Sequence, residues 1–244
     1  ALVAGHFQNT ASVGSMTLVS CSGNGADVFA LRTDYAGTIL WSLAVCATGY
    51  DYARAIVSDG AGGAFVAGHF AGTMTFGSTS LESSGLSDAY VMRVNSVGNV
   101  VWVTTVGGTG HDYGRALVSD GAGGVLVAGY FDGAASFGTY SLTSSGDFDA
   151  FVMRVGGSGE VLWAIRVGGA SNDYGRGIAS DGAGGALVTG YYSGLEGDIS
   201  SFGPISLTGT GFEEGFMMRV SSTGDVVWAV KSGRNWVSQT SLSA

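Results

Sequence analysis

One 21-residue run occurs three times in this sequence: YDYARAIVSDGAGGAFVAGHF from Tyr50, HDYGRALVSDGAGGVLVAGYF from His111 and NDYGRGIASDGAGGALVTGYY from Asn172. A repeated run must solve the same packing problem in every copy, so the period constrains the fold before any single motif does. Asp51, Asp112 and Asp173 are 61 residues apart, and the next equivalent position, Asn235, follows 62 residues on. Trp41, Trp102, Trp163 and Trp228 mark the same series, as do Arg32, Arg93, Arg154 and Arg219. The 244 residues read as four units of about 61, with the drift in the last, around LEGDISSFGP.

Each unit contains the same pieces. In the third copy, GRGIASD reads as a short strand a, DGAGG as a turn and ALVTGYY as strand b. A long polar connection containing SFGPISLTG follows, then GFMMRV as strand c, SSTGD as a turn and VVWAVK as strand d. Apolar and polar residues alternate as half-buried strands require, and Asp-Gly and Gly-Gly supply the positive φ of tight hairpins. No stretch holds a helical period for more than two turns. A four-stranded antiparallel unit at constant spacing predicts an all-β β-propeller, since solenoid repeats are usually shorter. Strand a would then be innermost and strand d outermost.

The run at Leu2–Phe7 is a strand b without a strand a, and NWVSQTSLSA at residues 235–244 is a strand a without a strand b. Pairing the two would complete the first blade and close one domain, residues 1–244, as four blades of four strands without exposed sheet edges. Asn235 replaces Asp, Trp236 replaces Tyr and Ser238 replaces Arg, so the closing strand is degenerate. The rival reading is a fragment of a longer propeller or repeat array. The chain begins ALVAGHF, read as a processed protein or a piece of a longer one.

The runs DYGRGIASDGAGGALVTGYYSG and DAFVMRV, followed by SGEVLWAIRVGG, resemble the seven-bladed β-propeller repeat family (SBBP repeats) of bacterial surface and secreted proteins. The likeness extends over almost the whole chain and rests on the Asp-Gly turn, the DAF before strand c and the Trp of strand d. It implies a propeller in an extracellular or cell-surface setting and carries over no catalytic residue. The chain has four units against the seven of the family name.

Charged residues make up only 12% of the chain, where about a quarter is usual, and the net charge is −9. Nucleic acid needs a positive footprint, which is missing here. No apolar run approaches the roughly 18 residues of a membrane span. Seven of the ten basic residues fall at repeat positions. Asp51/Arg54, Asp112/Arg115 and Asp173/Arg176 recur at the start of strand a. Asp27, Asp88, Asp149 and Glu214 precede strand c, five residues before Arg32, Arg93, Arg154 and Arg219. These predict Asp–Arg pairs and capped turns that bind blade to blade, because the planar guanidinium pairs a carboxylate bidentately. The functional alternative is a charged ring that takes an anion or a sugar.

Tyr52, Tyr113, Tyr174 and Trp236 stand at the head of strand a. They are read as packed between blades; facing solvent, they would form a ligand rim on which sugar rings stack. His6 and His69 occupy the strand-b position of Tyr130 and Tyr191, as aromatics. Metal-ligand spacing, a phosphate loop, a calcium loop and a nucleophile elbow are all missing, so neither an enzyme nor a cofactor is expected. Cys21 and Cys46 fall at one end of the strand c–d hairpin of the first unit, where a disulfide is plausible and two buried thiols are the alternative. The expected function is a non-catalytic structural or interaction module of a larger surface or filament protein, with other protein domains or subunits as partners. A lectin-like propeller that binds carbohydrate is the alternative.

Overall fold

Strand b of each unit is a near-continuous run of apolar and aromatic residues, where a half-buried strand would alternate. Such a run must be covered on both faces. The computed structural model describes residues 1–14, 16–21, 25–76 and 79–233, and every described element is a strand. The first unit holds β1 (Leu2–Phe7), β2 (Thr10–Val13), β3 (Met16–Val19), β4 (Asp27–Thr33) and β5 (Ile39–Ala47). The second holds β6 (Tyr52–Ser58), β7 (Ala64–Phe70), β8 (Thr73–Phe76), β9 (Thr79–Glu82), β10 (Asp88–Val94) and β11 (Val100–Gly108). The third holds β12 (Asp112–Ser119), β13 (Val125–Phe137), β14 (Tyr140–Val155) and β15 (Val161–Gly168). The fourth holds β16 (Asp173–Ser180), β17 (Ala186–Tyr192), β18 (Ile199–Phe202), β19 (Ile205–Thr208), β20 (Glu214–Val220) and β21 (Val226–Gly233).

Three units make the expected antiparallel meander a-b-c-d: β6-β7-β10-β11, β12-β13-β14-β15 and β16-β17-β20-β21. The first contributes β1-β4-β5. The strand expected to complete it, with Trp236, lies outside the described residues.

The cores lie between units. Ala64 and Val66 of β7 pack with Val28, Ala30, Trp41 and Val45 of the first unit. Phe65 and Ala67, the alternate residues of the same strand, pack with Val125, Val127, Phe131 and Phe151 of the third. Leu126 and Ala128 of β13 then face Ala186, Val188 and Phe216 of the fourth. Successive residues feed opposite cores, which is why β7 is buried from end to end. Gly129 has the place where the Phe151 ring crosses: a Cβ there would lie 2.7 Å from Phe151 Cζ and 2.0 Å from the Tyr113 carbonyl oxygen.

The connection between strands b and c, expected to be a long polar loop, is an ordered hairpin in every unit. It is β2–β3, β8–β9, the end of β13 against the start of β14, and β18–β19. In three units this hairpin pairs with the outer strand of the preceding unit, through Cys46 and Thr75, Gly107 and Ser136, and Val167 and Phe202. Phe76, Phe137 and Phe202 anchor it in the core. The drift in period also has a place. Arg154 and Arg219 are 65 residues apart, and the extra residues lie in the connection from β17 to β18.

Candidate functional site

Asp51, Asp112 and Asp173 are fully buried at the head of strand a, and the expected pairing with Arg54, Arg115 and Arg176 is not made. Each carboxylate accepts one backbone N–H instead: Ala71 to Asp51 at 3.0 Å, Gly108 to Asp112 at 2.9 Å and Gly169 to Asp173 at 2.8 Å. The second oxygen of each has no hydrogen-bond partner. Each also sits near a second buried carboxylate, Asp27, Asp88 or Asp149. Burial first, with that neighbouring charge adding to it, pushes all three up to about 7.

The residue after each Asp begins a ring-to-ring series across the units. Centroid separations run 4.5 Å for His6–Tyr52, 4.9 Å for Tyr52–His69, 4.4 Å for His69–Tyr113 and 4.9 Å for Tyr113–Tyr130. They continue at 4.6 Å for Tyr130–Tyr174 and 4.7 Å for Tyr174–Tyr191. Tyr52, Tyr113 and Tyr174 are half-buried, and each contacts rings of its own and of a neighbouring unit. Phe148 of β14 joins the series, 5.4 Å from Tyr130. Burial pulls the His69 imidazole down to about 3, and the Arg54 and Arg115 charges act in the same direction.

Arg54, Arg115 and Arg176 are the extra residues of a β-bulge. The register of strand a with strand b skips from Ala53 to Ala55, from Gly114 to Ala116 and from Gly175 to Gly177. A bulge leaves its extra residue out of the ladder and re-aims the side chain. The guanidinium carbon of Arg54 lies 4.5 Å above the Tyr52 ring, that of Arg115 5.0 Å from Tyr130, and that of Arg176 5.0 Å from Tyr174 and 5.1 Å from Tyr130 and Tyr191. Arg115 donates to the Tyr130 hydroxyl and Arg176 to that of Tyr191.

Three of the other repeated arginines, Arg32, Arg93 and Arg154, link units. Arg32 and the Trp41 indole both donate to the carbonyl of Gly62, in the second unit. Arg93 and Trp102 share the carbonyl of Gly157 in the third, and Arg154 and Trp163 that of Ser222 in the fourth. The carboxylate partners of Arg93, Arg154 and Arg219 are the aspartates of the Asp-Gly turns and not those before strand c. Arg93 meets Asp59 at 3.2 Å, and Arg154 meets Asp120 and Arg219 meets Asp181 at 2.8 Å each. The other oxygen of Asp120 accepts the N–H groups of Ala122 and Gly124, which closes the turn.

Asp27, Asp88, Asp149 and Glu214 cap the loop before strand c, accepting N–H groups of Cys21, Ser84, Ser145 and Thr210. Cys21 and Cys46 form a disulfide, with Cα atoms 5.4 Å apart. Among the described residues, no three His, Cys, Asp or Glu side chains converge on one point, and no helix is long and apolar enough to cross a membrane.

No known family model matches the chain. It is similar to an uncharacterised WD repeat-containing protein of Acanthamoeba polyphaga mimivirus, with 30% identity over 104 residues. The match covers 41% of this chain and 8% of that protein, so the chain spans a small part of the relative's length. Among solved structures, it is similar to a protein of unknown function from Bacteroides caccae at 15% identity and a TM-score of 0.37, covering 84% of this chain and 78% of that one.

Proposed function

We propose that the chain is a β-propeller of four blades, with residues 235–244 completing the first, and that it serves as a non-catalytic interaction module of an extracellular or cell-surface protein. The observation that carries this reading is where the surface comes from. Much of each sheet is consumed in the cores between units, so the display falls mainly to the turns, the outer strands and the bulged residue of strand a. A repeated display on a rigid stack suits recognition by loops and rims. The likeness to a WD repeat-containing protein supports the propeller, since WD repeats are propeller blades. The repeat pattern that resembles SBBP sequences supports the same fold and setting. The Cys21–Cys46 disulfide supports an oxidising compartment.

Carbohydrate recognition by stacking needs open aromatic faces. Here the Tyr52, Tyr113 and Tyr174 faces meet other rings and guanidinium groups. Protein ligands are therefore favoured over sugars. The immobilised chain, screened in parallel against a peptide library and a glycan array, is expected to retain peptides and not glycans. Retention of glycans alone would overturn the interaction-module reading in favour of a lectin.

A further inference from the structure

Among the described residues, four arginines pair with buried carboxylates, Arg32 donates to the Gly62 carbonyl, and three others stand apart. Arg93, Arg154, Arg166 and Arg219 each pair with a carboxylate that is at least nine-tenths buried. Arg54, Arg115 and Arg176 pair with none among the described residues, although the chain carries 19 acidic side chains against ten basic ones. A fold with this excess of carboxylate would neutralise three neighbouring cations cheaply if packing alone were at stake.

The three are instead set apart by a structural device that recurs in every complete copy. Each is the bulge residue of strand a, and β6, β12 and β16 lie side by side. The bulge aligns the three guanidinium groups along one aromatic ladder, held by ring faces and phenol oxygens that leave their positive charge uncompensated. Arg115 Nε is buried without a hydrogen-bond partner. His69, which is 5% exposed and lies between Tyr52 and Tyr113, has its Nδ1 unpartnered as well. Arg54 and Arg115 feel each other's charge, and burial together with that repulsion lowers the Arg54 guanidinium below its ordinary range. Glu213 acts on Tyr174 at one end of the row, and buried Asp51 acts together with Arg54 on Tyr90 at the other.

We propose that the Arg54–Arg115–Arg176 row is a docking site for an acidic segment of a partner protein, whose Asp and Glu carboxylates pair with the three guanidinium groups. This rests on the interaction-module reading and names the chemistry of the partner. Carboxylates supply the bidentate acceptor geometry that guanidinium groups match. Like charges held together without counterions raise the potential at the row and steer an anionic chain to it. A peptide is favoured over an acidic sugar because the ring faces a sugar would need are covered.

Fluorescence anisotropy with a labelled peptide of alternating Glu and Gly tests the site, with a Lys-Gly peptide and oligogalacturonate as comparison probes. The wild-type chain is expected to bind the Glu peptide, to ignore the Lys peptide and to weaken steeply with salt. Arg54→Gln/Arg115→Gln/Arg176→Gln together should reduce affinity about tenfold or more, since each exposed ion pair contributes modestly. Arg54→Gln alone, at an exposed position, should fold normally and still cause a measurable loss. Arg32→Gln, outside the row, should leave binding unchanged. No binding of the Glu peptide, or equal binding by the triple variant, overturns the proposal. Preference for oligogalacturonate that the triple variant abolishes also overturns it. Other peptides that bind regardless of the three substitutions sink this site yet leave the interaction module standing.

Discussion

Asp51, Asp112 and Asp173 show how a sequence can place the right residue and suggest the wrong partner. Arg follows each Asp by three positions, and three is an odd step in a strand, which sends the two side chains to opposite faces. Tyr and Arg two positions apart share a face, and that spacing was the available sign of the cation–aromatic row. The buried aspartates make stability depend on pH in an uncommon direction. Their folded values stand near 7, while an unfolded Asp titrates near 3.9. Between those limits the folded chain holds protons that the unfolded chain has released, so stability falls as pH rises through that window. His69 works against this, because its folded value near 3 favours the folded state as pH rises from 3 to about 6.5, but it is one group against three. Asp59, Asp120 and Asp181, held low by turn N–H groups and their arginines against the cost of burial, contribute stability above about pH 4 and lose it below. The melting temperature is therefore expected to be higher at pH 5 than at pH 8. Asp112→Asn with Asp173→Asn, which keeps an oxygen acceptor and removes the charge, should shrink that difference; the sequence itself carries Asn235 at the equivalent repeat position. Calorimetry at the two pH values decides, and a higher melting temperature at pH 8 would rule the account out.

At the level of elements, each unit is joined to the next by a strand-d tip paired with a hairpin and by an Arg–Trp clamp on a turn carbonyl. The clamp's two members differ in what their loss leaves behind. Arg154→Ala strips the buried Asp120 carboxylate of its guanidinium, and the two turn N–H groups remain to share the charge. We expect a loss of about 2–4 kcal/mol, at the lower side of what breaking a buried pair costs. Trp163→Phe removes one indole hydrogen bond to Ser222 and should cost about 1–2 kcal/mol. Urea denaturation should rank Arg154→Ala as the more destabilising; the reverse order would mean that the ion pair does not hold the turn. The Trp and Arg periodicities made the clamp's residues legible, but not their acceptors, because main-chain carbonyls leave no trace in residue identity. The four-strand meander was legible from alternation and Asp-Gly turns. The extra hairpin was not, because its polar residues read as loop. Its sign was the recurrence of one buried Phe before Gly, at Phe76, Phe137 and Phe202. The aromatic row was half legible: His6 and His69 stood at tyrosine positions, whereas nothing in the period pointed to Phe148.

Across the whole molecule these joints all point one way along the chain: each unit's strands c and d give hydrogen bonds and a strand tip to the unit that follows. The fourth unit has the same donors, Arg219 and Trp228, and the same outer strand β21. The first unit has the matching receiver, the β2–β3 hairpin, which among the described residues forms a two-stranded sheet by itself. Among those residues no strand ladder joins the fourth unit to the first. Directional joints of this kind close into a ring when donor and receiver of one chain meet, or add copies head to tail when they do not. The closure proposed above rests on residues 235–244, which carry the strand-a pattern that the described part of the first unit lacks; a strand bridging the two ends would cover both edges at once. A closed ring predicts a monomer of 24.6 kDa in solution at all concentrations. It also predicts that deleting residues 235–244 lowers the melting temperature by several degrees and promotes self-association, since the deletion exposes β1 and the fourth unit together. A head-to-tail array predicts concentration-dependent growth in the intact chain, with Arg219→Ala blocking it. Light scattering coupled to size exclusion, run on the intact and shortened chains over a range of concentrations, separates the two. An intact chain that grows with concentration, or a shortened chain that melts with its parent, would sink closure by the terminal strand.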